Sequence, residues 1–159
     1  MSTDAVPTPP GHPDEGVPWH FGDPLREQRA LREGQAAVDL SNFGVVRVTG
    51  PDRLSWLHNL TTQYLESLLP GSSALSLILS PHGHVEHELH IADDDYSCWI
   101  ICAPGSAGAL AEYLESMKFM TRVEVHDVSD EYAVIWEPLH AIDPEYPTYL
   151  MPADYAGTG

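Results

Sequence analysis

Apolar residues recur along this chain in two rhythms, one at every second position and one at every third or fourth, and the switches between them outline the elements. Leu25, Gln28, Leu31 and Arg32 predict a short helix opening after Pro24. Residues 43–49 are valine-rich and β-branched enough to form a strand. Gly50-Pro51-Asp52 then opens a helix, with proline in the first turn, where its missing N–H costs nothing. The apolar stripe of that helix runs through Leu54, Leu57, Leu60 and Thr61 and on through Tyr64, Leu65 and Leu68, until Pro70-Gly71 ends it. Residues 73–80 and 84–92 predict a hairpin about a Pro-x-Gly turn, Asp93-Asp94-Asp95 a polar turn, and residues 96–102 a third consecutive strand. After Pro104-Gly105-Ser106 the helical stripe returns at Ala107, Leu110, Ala111, Leu114 and Met117, and residues 122–128 and 132–136 revert to strand. Strand, helix, three strands, helix and two strands make an α+β fold, an antiparallel sheet with flanking helices.

The pattern confines this fold to residues 19–137. Before it, Pro7, Pro9, Pro10, Pro13 and Pro18 with Gly11 and Gly16 predict a disordered, proline-rich lead over residues 1–18. After it, Pro138, Pro144, Pro147 and Pro152 predict an irregular tail over residues 138–159. Its Tyr146, Tyr149, Leu150, Met151 and Tyr155 are too apolar for plain disorder. Such a tail packs on a missing or partner segment, or wraps its own domain.

Charge narrows the choice of partners. With 24 acidic residues against 7 basic ones the formal net charge is −17. No Lys/Arg cluster offers a local exception, so nucleic acid and anionic membrane are excluded as partners. No apolar run approaches the roughly 20 residues of a membrane-spanning helix, and the N-terminus lacks a basic start followed by an apolar run, which predicts a cytoplasmic protein. Cys98 and Cys102, four apart on one strand, stand about 13 Å from each other on the same face. A disulfide needs α-carbons within about 7 Å, so both are expected as free thiols that share no metal.

The chemistry gathers on the predicted hairpin, where residues 77–91 hold His82, His84, His87 and His90 together with Glu86 and Glu88. Alternation turns His84, Glu86, Glu88 and His90 to a polar face, and Val85, His87, Leu89 and Ile91 to the other. Neighbours on the polar face lie about 6.6 Å apart, too far to chelate a metal unless the strand bulges or another strand helps, and no metal site is assigned. His87 falls among aliphatic residues, where it is either a hydrogen-bonded core histidine or a ligand contact. No Gly-rich phosphate loop, nucleophile elbow or Ser/His/Asp order accompanies these residues.

Several segments, in order along residues 19–138, carry a resemblance. They are Ala37-Val-Asp-Leu-Ser41, Val46-Arg-Val-Thr-Gly-Pro-Asp52, Leu57-His-Asn-Leu-Thr-Thr-Gln63, Pro70-Gly71, the hairpin, and Val125-His-Asp-Val-Ser-Asp-Glu-Tyr-Ala133. At these spacings the chain resembles the N-terminal half of the folate-binding superfamily that holds the aminomethyltransferase T-protein of the glycine cleavage system and the YgfZ-type proteins. His20-Phe-Gly-Asp-Pro-Leu-Arg-Glu-Gln28 is similar to the opening of actinobacterial YgfZ-type members.

In the aminomethyltransferases the hairpin turn carries Gly-Gly-x-x-Asp-Asp, whose carboxylate meets the folate pterin. Here the run reads Gly83-His84-Val85-Glu86-His87-Glu88. Imidazole exchanges protons near neutral pH but offers no permanent negative charge, so this departure favours the YgfZ side over the transferases. The resemblance then implies a tetrahydrofolate-binding accessory protein whose family role is iron–sulfur cluster assembly or repair, with enzymatic activity left open. Glu88 and His87 would contact the pterin, with Gln63 and Cys102 as further pocket residues. The family's Lys-Gly-Cys-Tyr-x-Gly-Gln-Glu motif is absent, since Cys98 precedes Trp99 and Cys102 precedes Ala103. The chain therefore reads as an N-terminal fragment or a short relative, whose partners are the remaining half, iron–sulfur proteins and a folate-type small molecule. A tetrahydrofolate-dependent one-carbon transferase using Glu88, and an assembly module that binds no ligand, are the alternatives.

Overall fold

The computed structural model describes residues 5–138, 143 and 145–151. In chain order the elements are β1 (Val6–Pro7), β2 (Pro18–His20), α1 (Pro24–Arg32), β3 (Val38–Asp39), β4 (Gly44–Thr49), α2 (Arg53–Leu60), β5 (Ser73–Leu79), β6 (Val85–Asp93), β7 (Ser97–Cys102), α3 (Ala107–Ser116), β8 (Glu124–Asp127) and β9 (Ile135–Trp136). Five strands form one antiparallel sheet in the order β5-β6-β7-β4-β8. The architecture is the predicted α+β one.

Pleating divides this sheet into two unlike faces. Val46, Val48, Ile78, Leu89, Ile91, Cys98 and Ile100 turn toward α2 and α3 and form the main core with Leu57, Leu110 and Leu114. On the opposite face the described residues form a small cluster of Val45, Trp99 and Val128, with Val134 packed against it. Both thiols are free and buried. Among the described residues no helix is long and apolar enough to cross a membrane.

Three expectations are corrected, and the described tail follows one of the two courses left open for it. The lead is ordered where described, because Val6–Pro7 pairs with Pro18–His20, Thr8 Oγ1 donates to the Val17 carbonyl at 2.6 Å, and Val17 is buried. Its prolines are tolerated because an isolated two-stranded ribbon makes few demands on ladder N–H groups; residues 1–4 lie outside the described residues.

The helix opened by Pro51 stops at Leu60, short of the stripe that extends to Leu68. Thr61 is extended, and the next segment docks on the edge of β5. There the Thr62 N–H donates to the Leu77 carbonyl at 3.0 Å, and Leu77 N–H donates to Thr62 Oγ1 at 3.1 Å. An open strand edge outcompetes one more helical turn.

The predicted polar turn begins one residue later than expected, because Asp93 belongs to β6 and is buried. Finally, the described part of the tail lies on its own domain: Leu150 N–H donates to Ser73 Oγ at 2.8 Å, and the Tyr149 ring stands edge-on to His90 at 5.0 Å. The remaining tail residues lie outside the described residues.

Candidate functional site

The hairpin turn is built as its chemistry predicts, with Gly83 at φ +81°, Gly83 N–H donating to the Ser80 carbonyl at 2.9 Å and Ser80 N–H to the His84 carbonyl at 2.8 Å. Beyond the turn the register shifts. Leu79 opposes Val85 but Ile78 opposes His87, so Glu86 is the extra residue of a β-bulge. Strand β7 pairs only with residues 90–93 of β6. Residues 85–89 therefore extend past the sheet in a two-stranded arm that carries His87 and Glu88.

Those two neighbours point to opposite faces. His87 shares the parity of Leu89 and Ile91 and faces the helices, partly buried, with its ring centroid 6.3 Å from that of Tyr113 on α3. Glu88 leaves the helix-free face, where its Oε1 lies 2.9 Å from His90 Nε2; its side chain is 56% exposed, that of His90 27%. A small ligand resting on one face thus meets one of the pair, and the strand pleat prevents them from lining one cleft together.

The other two expected site residues lie elsewhere. Gln63 is exposed beside the β5 edge, its N–H donating to Ser76 Oγ at 3.1 Å. Cys102 is sealed in the core; a β-carbon on Gly44 would stand 2.9 Å from its Sγ, and burial pushes its thiol up. Two surface concavities, of about 410 and 290 Å³, sit around Trp56 with Phe119 and around Gly50 with Arg122, and include none of the four. Among the described residues no group of three or more His, Cys, Asp or Glu is placed to hold a metal ion.

A buried polar cluster escaped the sequence reading. Arg53 Nε and Nη2 each donate to an Asp93 carboxylate oxygen at 2.8 Å, and the Cys98 thiol donates to Asp93 Oδ2 at 3.0 Å. The Asp93 bonds hold the Arg53 guanidinium up, while burial, reinforced by the contact with Asp93, pushes the Cys98 thiol far up, so it stays protonated. The signal was present in the periodicity: Asp93 continues the inward parity of Leu89 and Ile91, and Arg53 precedes Leu57 by one helical turn. On the other face, burial pushes the Asp94 carboxyl up, but N–H donors from Trp99, Ser97 and Tyr96 outweigh it and hold the group below its ordinary value. The Trp99 ring so anchored carries the Arg47 guanidinium at 5.1 Å.

An exposed pair braces the loop after α3. Arg122 donates from its backbone N–H, Nε and Nη2 to the Asp52 carboxylate and holds it below its ordinary 3.8. A carboxyl lowered on folding binds its proton more readily in the unfolded chain, so its contribution is present above that ordinary value and fades as pH falls through the folded one. Urea midpoints should therefore drop more steeply between about pH 5 and about pH 3 in the native chain than in Arg122→Ala. Parallel curves for the two proteins would show that the pair is not coupled to folding.

Comparison with known proteins places this arrangement. Residues 16–136 match the GCVT N-terminal domain family, and the chain belongs to that family. It is 32% identical over 120 residues to an aminomethyltransferase of Koribacter versatilis, covering 72% of this chain and 30% of the relative. Over 119 residues it is 29% identical to a chloroplastic protein of Arabidopsis thaliana named as a transferase, covering 74% of this chain and 28% of the relative. The crystal structure of the glycine cleavage system aminomethyltransferase T from Bartonella henselae superposes with a TM-score of 0.52 at 21% identity, over 56% of this chain and 25% of that one, and shares the fold. The chain thus spans about 30% of the length of the curated relatives it matches.

Proposed function

We propose that this chain is the tetrahydrofolate-facing segment of a YgfZ-type accessory protein, cytoplasmic, with a role in iron–sulfur cluster assembly or repair, and that Glu88 is its ligand-contacting carboxylate. The observation that carries the reading is the placement of Glu88 on the helix-free face, partly exposed, held by His90 on the two-stranded arm. That position belongs to the hairpin run in which the family keeps its acidic pair. An ionised carboxylate there accepts charge-assisted hydrogen bonds from the N–H groups of a pterin. His87, facing α3, sets the orientation of the arm from behind; Gln63 flanks the same hairpin at the β5 edge, and Cys102 supports it through the core. Imidazole in place of the first family carboxylate supports accessory binding over transfer chemistry.

The alternative, tetrahydrofolate-dependent aminomethyl transfer, is supported by the names of the relatives. Both readings predict that tetrahydrofolate quenches tryptophan fluorescence saturably. A charge-assisted hydrogen bond contributes about 1.5–3 kcal/mol, so Glu88→Ala should weaken the Kd by about tenfold or more. An equal Kd in the variant would remove Glu88 from the site, and a signal that never saturates would leave the module without this ligand. Formation of a methylene-bearing folate from an aminomethyl donor with release of its nitrogen as ammonia, lost in Glu88→Gln, would select the transferase.

A further inference from the structure

The segment after Trp136 lies beyond the part of the chain that matches the family, yet its described residues return to the face that carries Glu88. The Leu150 N–H reaches Ser73 Oγ on β5, opposite Ala92 of β6, and Tyr149 sets its ring at 85° to that of His90, the residue that holds Glu88. Residues 148–150 are partly buried there, while Tyr146 and Met151 on either side remain 64% and 51% exposed. We infer that residues 145–151 form a strap that shields His90, the partner of Glu88, and competes with ligand for this face.

The physical argument is one of shared surface. Tyr149 packs its ring against His90, the partner of Glu88, and His90 keeps 27% of its side-chain surface while Glu88 keeps 56%. The contacts that seat the strap on this face include an aromatic edge and a backbone-to-hydroxyl hydrogen bond, contacts worth about 1 kcal/mol each in protein settings, which a ligand carrying charge-assisted bonds can displace. Apparent affinity is multiplied by the fraction of molecules in which the face is open, so loosening the strap raises it.

The competition rests on the proposed folate reading, whereas the shielding does not. Two variants of the 159-residue chain, Tyr149→Ala and Ser73→Ala, are compared with the native sequence in two measurements. In the first, the rate at which diethyl pyrocarbonate modifies His90 is followed by peptide mass spectrometry; it should rise severalfold in both variants while His82 at the turn stays unchanged. An unchanged His90 rate overturns the strap. In the second, tetrahydrofolate affinity should rise by about fivefold, as expected if the face is open about a fifth of the time. Faster modification with weaker binding would make Tyr149 a wall of the site and overturn the competition. Faster modification with no binding in any variant would keep the shield and reject folate as the ligand.

Discussion

Gly50→Ala should destabilise the protein by on the order of 4 kcal/mol and lower its melting temperature by about 10 °C. Two independent costs meet at this residue. Gly50 adopts φ +113°, a region that residues with a β-carbon rarely enter. A β-carbon there would also overlap the Arg122 carbonyl oxygen and stand 2.9 Å from Val123 Cα. Those atoms are backbone, braced by the Asp52–Arg122 pair, and cannot swing aside as a flexible side chain would. Relief would require moving the junction between β4 and α2 away from the loop that leads into β8. Thermal unfolding followed by circular dichroism is sufficient, and a midpoint within about 2 °C of the native one would show that the close approach is relieved cheaply.

Asp93→Ala should cost about 3–5 kcal/mol, because it leaves the Arg53 guanidinium buried without its carboxylate. Arg53 is 9% exposed and Asp93 3%, so water cannot replace the lost partner without opening the packing of α2 on the sheet. The Asp95 N–H and the Cys98 thiol lose the same acceptor. The double variant Arg53→Met with Asp93→Leu removes both charges and should recover most of that loss, since an apolar pair of similar volume escapes the desolvation that the ion pair bears. Urea unfolding of the single and double variants decides the matter. A double variant no more stable than Asp93→Ala would mean that the hydrogen bonds to Asp95 and Cys98, not the charge balance, hold the corner together.

How much of this was legible in the sequence differs from element to element. The hairpin at residues 73–92 was readable because Pro81 and Gly83 sit at the turn and alternation continues on both sides. The strand at residues 43–49 and the helix stripe from Ala107 to Leu114 were equally plain. The end of α2 was not, since Tyr64, Leu65 and Leu68 keep helical spacing while the chain leaves the helix at Thr61 and docks Thr62 and Gln63 on β5. Leu65 is fully buried either way, so periodicity alone could not distinguish a helical turn from a docked loop. The candidate site was half legible. Parity set Glu88 with His90 and His87 with Leu89, but treating His87 and Glu88 as a single ligand-contacting pair ignored the alternation that separates them.

The amino-acid sequence by itself determined the α+β class, the order of the strands and helices and the polar and apolar faces of the hairpin, because each follows from local periodicity or turn chemistry. Only the tertiary structure decided that Arg53 meets Asp93 across 40 positions, that β7 stops short of Glu88 and leaves it on a two-stranded arm, and that Leu150 returns to Ser73 across 77 positions. Contacts of that separation depend on how the sheet closes and which edges remain open, and no local pattern encodes them.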